Sequence, residues 1–242
     1  MTISAHERLP ETIVIGVLAL QGAFIEHVHY LNRLRPKGHT ISAIPVRTPS
    51  ELSQCHALVL PGGESTVIAS VAARTPGLLD ALLGFVRDPA KAVYGTCAGM
   101  ILMAEVDGIG GGKKSQKGWG GMPGLKIWRN LYGSQLESFE APLLIPALSS
   151  PSTPFNAIFI RAPAIHSLAM IDNVQVEVLA ELSSDQRPTP PPADSPLGAC
   201  SVDDLGKVMV RRGNKLVTSF HPELSGDARI HEYWVERCVL GR

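Results

Sequence analysis

Residues 92–106, AVYGTCAGMILMAEV, place a short apolar strand directly before a tight turn and an apolar helix. The strand is predicted over 92–94 and the helix over 98–106, with Cys97 on the turn between them. Parallel strands need a crossover connection, usually a helix, so a strand that runs straight into a helix is typical of a parallel sheet. This stretch therefore predicts an α/β fold.

The chain before this stretch shows the same alternation. Residues 12–20, TIVIGVLAL, are almost continuously apolar, which is typical of a strand buried on both faces in a parallel sheet. Further strands are predicted at 40–46 and 57–60, and helices at 23–34, 65–73 and 77–87. This order predicts a mostly parallel, doubly wound sheet flanked by helices.

The second half of the chain has a different character. Strands are predicted at 124–128, 138–144, 157–161 and 174–182, a hairpin with arms at 207–211 and 215–220, and a closing helix at 227–240. Two segments lack such patterns, because 107–124 contains eight glycines and three lysines, and 183–198 contains five prolines. We expect both to be loop insertions on the surface. With an N-terminal tail at 1–11, the sequence predicts a single domain over 1–242.

The composition argues against several classes of protein. Of the 242 residues, 45% are hydrophobic and 18% are charged, which suffices for a large core. Lys and Arg together number 22, as do Asp and Glu, so there is no basic excess of the kind that nucleic-acid binding favours. No apolar stretch reaches 18 residues and no signal peptide is evident, so neither membrane insertion nor secretion is expected. The four cysteines are too far apart for a zinc pattern or a disulfide framework, and we expect a cytoplasmic protein with reduced thiols.

Cys97 lies in the sequence GTCAG at 95–99, which is the pattern of a nucleophile elbow. On such a turn the nucleophile has a strained backbone and points into a cleft, while the flanking glycines let neighbouring elements pass closely. The helix N-terminus favours a thiolate, and the N–H group of Ala98 can point at an oxyanion. The alternative is a small buried cysteine in a tight turn, and a partner base would distinguish the two.

His221 is the candidate base, within TSFHPEL at 218–224. Glu223 follows two residues later, and in an extended segment both side chains point to the same side. Glu223 is therefore predicted to orient the imidazole while the other ring nitrogen faces Cys97. The alternative is a His-Pro turn with a solvated glutamate. The other histidines are expected to be structural or on the surface: His6, His27, His29, His39, His56, His166 and His231.

Residues 60–66, LPGGEST, link a strand to a helix. Adjacent glycines let backbone N–H groups turn toward a bound anion or carbonyl oxygen, and Ser65 and Thr66 suit the N-cap of the helix. We interpret this loop as half of an oxyanion hole, with an ordinary capped turn as the alternative. The segment GIGGGK at 108–113 is similar to a phosphate loop, but Asp107 and Lys114 stand where that pattern needs Gly and Ser or Thr. Nucleotide binding is therefore not expected.

Three motifs occur in order on the α/β pattern: PGGES at 61–65, GTCAGM at 95–100 and SFHPEL at 219–224. In these motifs the chain resembles the class I, or triad, glutamine amidotransferases. More narrowly, it is similar to the glutaminase subunits of pyridoxal 5'-phosphate synthase, over about residues 13–240. The narrower resemblance rests on GVLALQG at 16–22, PGGEST at 61–66, RN at 129–130, YG at 132–133, SFE at 138–140 and FIRAP at 159–163.

The resemblance implies a glutaminase that converts L-glutamine to glutamate and ammonia. It implies that Cys97 forms a glutamyl thioester, that His221 moves the proton and that Glu223 orients His221. The residues implied to bind glutamine are Gly63, Glu64, Ser65, Arg129, Ile160 and Arg161, and those implied for the oxyanion hole are Gly63 and Ala98. Neither a metal nor a cofactor is implied, and pyridoxal phosphate is expected neither as cofactor nor as product. The ammonia is expected to pass to a pyridoxal 5'-phosphate synthase subunit within a hetero-oligomeric complex.

The chain departs from the family pattern at a few places. Members usually have Arg where this chain has Ser134, and the segments 107–124 and 183–198 look longer than in compact bacterial members. The open alternatives are another triad amidotransferase, such as that of histidine biosynthesis, a γ-glutamyl hydrolase, and a catalytically dead scaffold that only binds the synthase. The QG and FIRAP segments argue against the two enzymes, and the intact candidate triad argues against the scaffold.

Overall fold

Strands and helices alternate along the first part of the chain, as the sequence predicts. The computed structural model describes residues 11–112, 115–132, 138–171, 174 and 176–242. In chain order the elements are β1 (Glu11–Leu18), α1 (Phe24–Arg33), β2 (His39–Val46), α2 (Pro49–Ser53), β3 (Ala57–Leu60), α3 (Ser65–Arg74), α4 (Leu78–Arg87), β4 (Ala92–Thr96), α5 (Ala98–Met103), β5 (Ile109–Gly110), β6 (Leu125–Trp128), β7 (Ser138–Leu143), β8 (Phe155–Ile160), β9 (Ala164–Leu168), β10 (Val176–Glu181), α6 (Val202–Leu205), β11 (Lys207–Arg212), β12 (Lys215–Thr218) and α7 (Arg229–Trp234). Short 3₁₀ turns occur at Ser184–Gln186 and Pro222–Leu224, and α7 continues as a π-helical turn over Val235–Val239.

Seven strands form the central sheet, in the order β10-β11-β12-β4-β3-β1-β2. The pairs β1–β2, β1–β3, β3–β4 and β4–β12 are parallel, whereas β10–β11 and β11–β12 are antiparallel. The predicted mostly parallel sheet is confirmed, and the predicted hairpin is the antiparallel pair β11–β12. The remaining strands form two smaller sheets, β5-β6-β9 and β7-β8.

Helices cover both faces of the central sheet. Successive residues of a strand point to opposite faces, so Tyr94 of β4 packs in one core cluster with Leu31 of α1 and Trp234 of α7. Its neighbour Val93 packs in a second cluster with side chains of α3, α4 and α5, such as Leu82. The predicted doubly wound arrangement is therefore confirmed.

The strands β3, β4 and β12 are adjacent and parallel, and they end at the same level. Leu60, the last residue of β3, lies opposite Gly95, and Thr218, the last residue of β12, lies opposite Thr96. The segments that follow these three strands therefore meet at one edge of the sheet. This edge is where open α/β sheets usually bind their ligands.

The segment 107–124 is partly buried, which corrects the prediction that it lies on the surface. Trp119 is 3% exposed and Met122 is fully buried, and both pack in the core cluster of α3–α5. Backbone N–H groups within 119–122 donate to the carbonyls of residues 102–104 at 2.7, 2.8 and 2.9 Å. These bonds replace the next helical turn, so α5 ends at Met103 rather than at 106. The segment 183–198 is mostly exposed, as expected.

Several short elements have no counterpart in the sequence prediction, namely α2, β5, β9 and α6. None is longer than five residues, which is too short for a periodic pattern to be recognised. Residues 1–10 of the predicted tail, residues 113 and 114 of the glycine-rich segment, and Ser134 lie outside the described residues.

Within the described part of the chain, no single helix is long and apolar enough to cross a membrane. Taken together, α3 and α4 meet the same requirements of length and composition, with a bend of 120° between them.

Candidate active site

Cys97 and His221 lie at the edge where β3, β4 and β12 end. Cys97 follows β4 directly, and His221 lies three residues beyond the end of β12. The N–H group of Cys97 donates to the carbonyl of Thr218 at 2.8 Å, and that of His221 donates to the carbonyl of Ile158 at 2.8 Å. Backbone hydrogen bonds of the fold thus bring together two residues that lie 124 positions apart in the sequence.

The backbone at Cys97 has the geometry of the predicted elbow. Its φ is 48° and its ψ is −103°, a conformation that residues other than glycine seldom adopt. A Cβ on Gly99 would lie 1.9 Å from the carbonyl oxygen of Leu60, and one on Gly95 would lie 2.6 Å from the carbonyl oxygen of Gly99. Neither position has room for a side chain, so both glycines are needed for β3, β4 and α5 to approach one another.

Glu223 is the hydrogen-bond partner of His221, with 2.7 Å between its Oε1 and the Nδ1 of His221. Glu223 is 3% exposed, so the alternative of a solvated glutamate is wrong. The local geometry also differs from the prediction of an extended segment, because Pro222–Leu224 forms a 3₁₀ turn. The contact therefore arises because this turn folds Glu223 back onto the ring, and not because strand residues alternate.

The surroundings of this pair shift both pKa values. Burial lowers the pKa of His221, but hydrogen bonds to Cys97 and Glu223 outweigh it, so the pKa is raised above its usual value. Burial raises the pKa of Glu223, but the proximity of His27 and the hydrogen bond with His221 outweigh it and hold the pKa well below its usual value. An ionised Glu223 therefore supports a His221 that readily accepts a proton from Cys97.

The glycine loop packs against the ring of His221. A Cβ on Gly62 would lie 2.3 Å from Cε1 of His221, so only glycine allows the ring to lie on this backbone. Gln21 fixes the loop from the other side, because its Oε1 accepts the N–H of Glu64 at 2.7 Å. The predicted loop is therefore held directly beside the candidate base.

The N-cap of α3 is Glu64, and not Ser65 or Thr66 as the sequence suggested. The side chain of Glu64 accepts the N–H of Thr66 at 3.2 Å. The hydroxyl of Ser65 instead donates to Oε1 of Gln116 at 2.9 Å. Gln116 belongs to the glycine-rich segment, so this segment reaches the candidate site.

A pocket of about 310 Å³ opens at Cys97, at the small end of the size range of ligand sites. Eight of the ten predicted site residues line it; Ala98 is buried next to Cys97, and Glu223 lies behind His221. Its lining residues are Gln21, Gly63, Glu64, Ser65, Cys97, Ile101, Gly112, Arg129, Asn130, Ile160, Arg161 and His221.

Unusual backbone conformations concentrate at this pocket. Within the described residues, four residues other than glycine have a positive φ, and three of them line the pocket. These are Cys97 with 48°, Asn130 with 52° and Arg161 with 45°. Such conformations cost free energy and tend to be retained at functional sites, which supports a functional role for this pocket.

The two predicted arginines have different environments. Arg129 is 8% exposed, and its guanidinium donates to the carbonyl of Gly111 at 2.9 Å and to Oε1 of Gln116 at 3.1 Å. Arg161 is exposed at the pocket and makes no hydrogen bond or ion pair with any of the described residues. The alternative of a surface salt bridge is therefore wrong for Arg129, which is buried and bound to the glycine-rich segment.

Several residues at or near the site have no functional role in the sequence prediction, among them two glutamines and two histidines. Gln21 is part of the GVLALQG segment, and the resemblance of this segment to the family could have identified Gln21 as a site residue. Gln116 lies in a segment without a recognisable pattern. The sequence predicts that His27 and His231 are structural or surface residues, and both are fully buried behind the triad. Helical spacing cannot distinguish a buried histidine on α1 from an exposed one, so no signal was available for them.

The chain is similar to known proteins along almost its whole length. The sequence model of the SNO glutamine amidotransferase family matches residues 17–240. The pyridoxal 5'-phosphate synthase subunit PdxT of Streptomyces coelicolor is 40% identical over 97% of this chain and 98% of its own length. The pyridoxal 5'-phosphate synthase subunit SNO1 of Saccharomyces cerevisiae is 37% identical over 93% of each chain.

A solved structure agrees with these matches. A crystal structure of a glutamine amidotransferase superimposes with a TM-score of 0.70 at 37% sequence identity, covering 94% of this chain and 99% of that one. Each of these matches spans more than nine tenths of this chain. The chain therefore belongs to the SNO glutamine amidotransferase family.

Proposed function

We propose that this chain hydrolyses L-glutamine to glutamate and ammonia through a thioester on Cys97. The observation that carries the proposal is the strained Cys97, which shares a small pocket with His221, whose ring is bonded to the buried Glu223. Membership of a glutamine amidotransferase family supports the same chemistry.

In the first half of the reaction, Cys97 Sγ attacks the carboxamide carbon and His221 takes the thiol proton. Backbone N–H groups of Ala98 and Gly63 stabilise the negative oxygen of the tetrahedral intermediate; Ala98 begins α5, where an N–H has no partner within the helix. The carbon–nitrogen bond then breaks, and His221 returns the proton to the leaving ammonia. In the second half, His221 removes a proton from water, which attacks the thioester and releases glutamate and the thiol.

The pocket has charges that suit an amino acid. Glu64 supplies a carboxylate for the α-ammonium group, and Arg161 supplies a guanidinium for the α-carboxylate. Ser65 and Ile160 also line the pocket and complete the proposed glutamine contacts. Arg129 acts mainly by holding the glycine-rich segment in place, since its donors are directed to Gly111 and Gln116.

We expect Arg161→Gln to raise KM for glutamine by roughly tenfold or more while kcat changes less, because a charge-assisted contact to the substrate is lost. Steady-state glutamate release measures both constants. Arg33→Gln, on the exposed side of α1 and outside the pocket, is the matched control. An unchanged KM in Arg161→Gln, with a raised KM in a folded Arg129→Gln, would assign the carboxylate to Arg129 instead.

We further propose that the ammonia passes to a pyridoxal 5'-phosphate synthase subunit. The support is that the relatives are themselves named as subunits of pyridoxal 5'-phosphate synthase. The two core clusters on one sheet support a single amidotransferase domain, and four free cysteines fit a reducing cytoplasm. The test is glutamate release with and without the synthase subunit of the same organism. Strong activation that is lost in Cys97→Ser is expected.

Other outcomes of this assay have distinct meanings. Equal activity with and without the synthase subunit would keep the glutaminase and assign it to another synthase or to free-standing hydrolysis. Absence of hydrolysis in both cases, with binding to the synthase preserved, would favour the alternative of a catalytically dead scaffold that only binds the synthase.

A further inference from the structure

The two carboxylate oxygens of Glu223 have different partners. Oε1 is bonded to His221, whereas Oε2 has no well-formed hydrogen bond among the described residues. Nε2 of His27 faces Oε2 at 3.3 Å, and both side chains are fully buried. A buried carboxylate oxygen that lacks a compensating N–H group is costly. His27 is therefore placed to supply an N–H group to this oxygen.

We propose that His27 is a positioning residue of the triad, which holds the second oxygen of Glu223 while His221 binds the first. This inference rests on the proposed glutaminase activity. Glu223 is thereby fixed between two imidazoles, one from α1 and one from the segment after β12. A carboxylate fixed at both oxygens keeps the ring of His221 in one orientation toward Cys97.

A second buried histidine sets the proton arrangement of His27. Nδ1 of His27 lies 2.9 Å from Nε2 of His231. Burial lowers the pKa of His231 to about 3, with a further lowering by His27, so this ring is neutral. Its Nδ1 has no partner among the described residues, and a buried N–H there would be an unsatisfied donor. We therefore assign its proton to Nε2, which donates to His27.

With Nδ1 of His27 accepting that bond, the proton of a neutral His27 lies on Nε2. This nitrogen lies 3.3 Å from Oε2 of Glu223, so the His231–His27–Glu223 chain places an N–H group beside the carboxylate. The hydroxyl of Thr96 lies 3.4 Å from the same nitrogen. Since Thr96 precedes Cys97, the chain also contacts the elbow that holds the nucleophile.

The packing around these histidines is tight. The ring of Tyr30 on α1 stacks on His231 of α7 at 4.8 Å, with 4° between the planes. Tyr94 of β4 meets the rings of both histidines edge-on at 6.3–6.4 Å. The orientation of His27 is therefore fixed by three elements of the core, as a positioning role requires.

The other titratable groups that face this cluster are neutral near pH 7. Burial raises the pKa of Tyr94 well above its usual value and that of Cys238 to about 12. The titratable groups that directly face the carboxylate of Glu223 are therefore His27 on α1 and His221 after β12. Loss of His27 should raise the pKa of Glu223, so the carboxylate takes up a proton at higher pH than in the wild type.

The test compares His27→Leu with His27→Gln, whose amide keeps a donor near the position of Nε2. The readout is the rate at which iodoacetamide alkylates Cys97 between about pH 5 and about pH 8. Mass spectrometry of the peptide that contains Cys97 measures this rate. We expect roughly a tenfold lower rate at the acidic end in His27→Leu and a rate within about twofold of wild type in His27→Gln. In hydrolysis, kcat should fall roughly 10- to 100-fold in His27→Leu with KM little changed.

His29→Leu is the matched control, because His29 is exposed on the same helix and should leave both readouts unchanged. If His27→Leu does not fold, His231→Phe serves instead, since it keeps the ring on Tyr30 and removes the donor to His27. His231→Phe is then expected to lower the alkylation rate at the acidic end by about threefold, which is a smaller effect in the same direction. A folded His27→Leu, or failing that a folded His231→Phe, with the alkylation profile of the wild type overturns the proposal. Alkylation needs no glutamine, so this result is independent of whether the wild type hydrolyses glutamine.

Discussion

Cys97→Ser is expected to lower glutamine hydrolysis by at least about 10,000-fold, because an alcohol cannot replace the thiolate as nucleophile in this site. The substitution replaces sulfur with oxygen on a side chain that is 6% exposed, so the fold should be retained. Glutamate release in the presence of the synthase subunit measures the loss. The melting temperature and binding to the synthase should remain those of the wild type.

Cys200→Ser is the matched control for this experiment. Cys200 is a half-buried free thiol that lies outside the pocket, and its replacement should leave hydrolysis unchanged. Residual turnover near the wild-type rate in Cys97→Ser would remove Cys97 from its proposed role. A loss in Cys200→Ser as well would indicate that thiol substitution disturbs the fold.

His221→Asn is expected to cost more activity than Glu223→Gln. His221 moves the proton itself, so its loss should lower kcat about 100,000-fold, whereas Glu223→Gln should cost about 1,000-fold. The carboxylate is also one of the groups that raise the pKa of His221. In Glu223→Gln the pKa of His221 should fall. Because His221 must hold a proton to give it to the leaving ammonia, the alkaline limb of kcat/KM, where His221 loses that proton, should move to lower pH.

The pH dependence separates the two roles of Glu223. A smaller kcat with an unmoved alkaline limb would mean that Glu223 only orients the ring. A loss in Glu223→Gln that exceeds the loss in His221→Asn would contradict the assignment of His221 as the base. Both variants need a melting temperature near that of the wild type, because Glu223 is buried and its loss can destabilise the fold.

The parts of the site that were predicted from the sequence are those with a local pattern. The GTCAG turn after an apolar strand predicts an elbow at Cys97, and the structure shows the expected strained backbone there. The alternation of strands and helices likewise predicts the parallel sheet. Such patterns are visible because the residues concerned are neighbours in the chain, where spacing reports which side of an element is buried.

His221 was predicted as the base from the short TSFHPEL pattern, and the family resemblance supported its pairing with Cys97. Its distance of 124 residues from Cys97 means that no local spacing relates the two. The interpretation of its partner was partly wrong, since Glu223 contacts it through a 3₁₀ turn and not through strand alternation. The proline after His221 starts that turn, and proline at the first position of a helical turn was a usable signal.

The environment of the triad and pocket was decided by tertiary packing. Residues 119–122 end α5 by binding its last carbonyls, and Gln116 bridges Ser65 and Arg129 across a segment that the sequence marks only as glycine-rich.

The chain's own sequence was enough for the mostly parallel sheet of an α/β fold, the elbow and the candidate triad, because repeating apolar positions and short motifs act over a few residues. It was not enough for the carboxylate shared by His221 and His27, or for the different roles of Arg129 and Arg161. Those depend on which side chains are brought together from α1, α7, β4 and the loops after the strands. That is decided by the packing of both core clusters against one sheet, since contacts between distant residues leave no periodic trace in the chain.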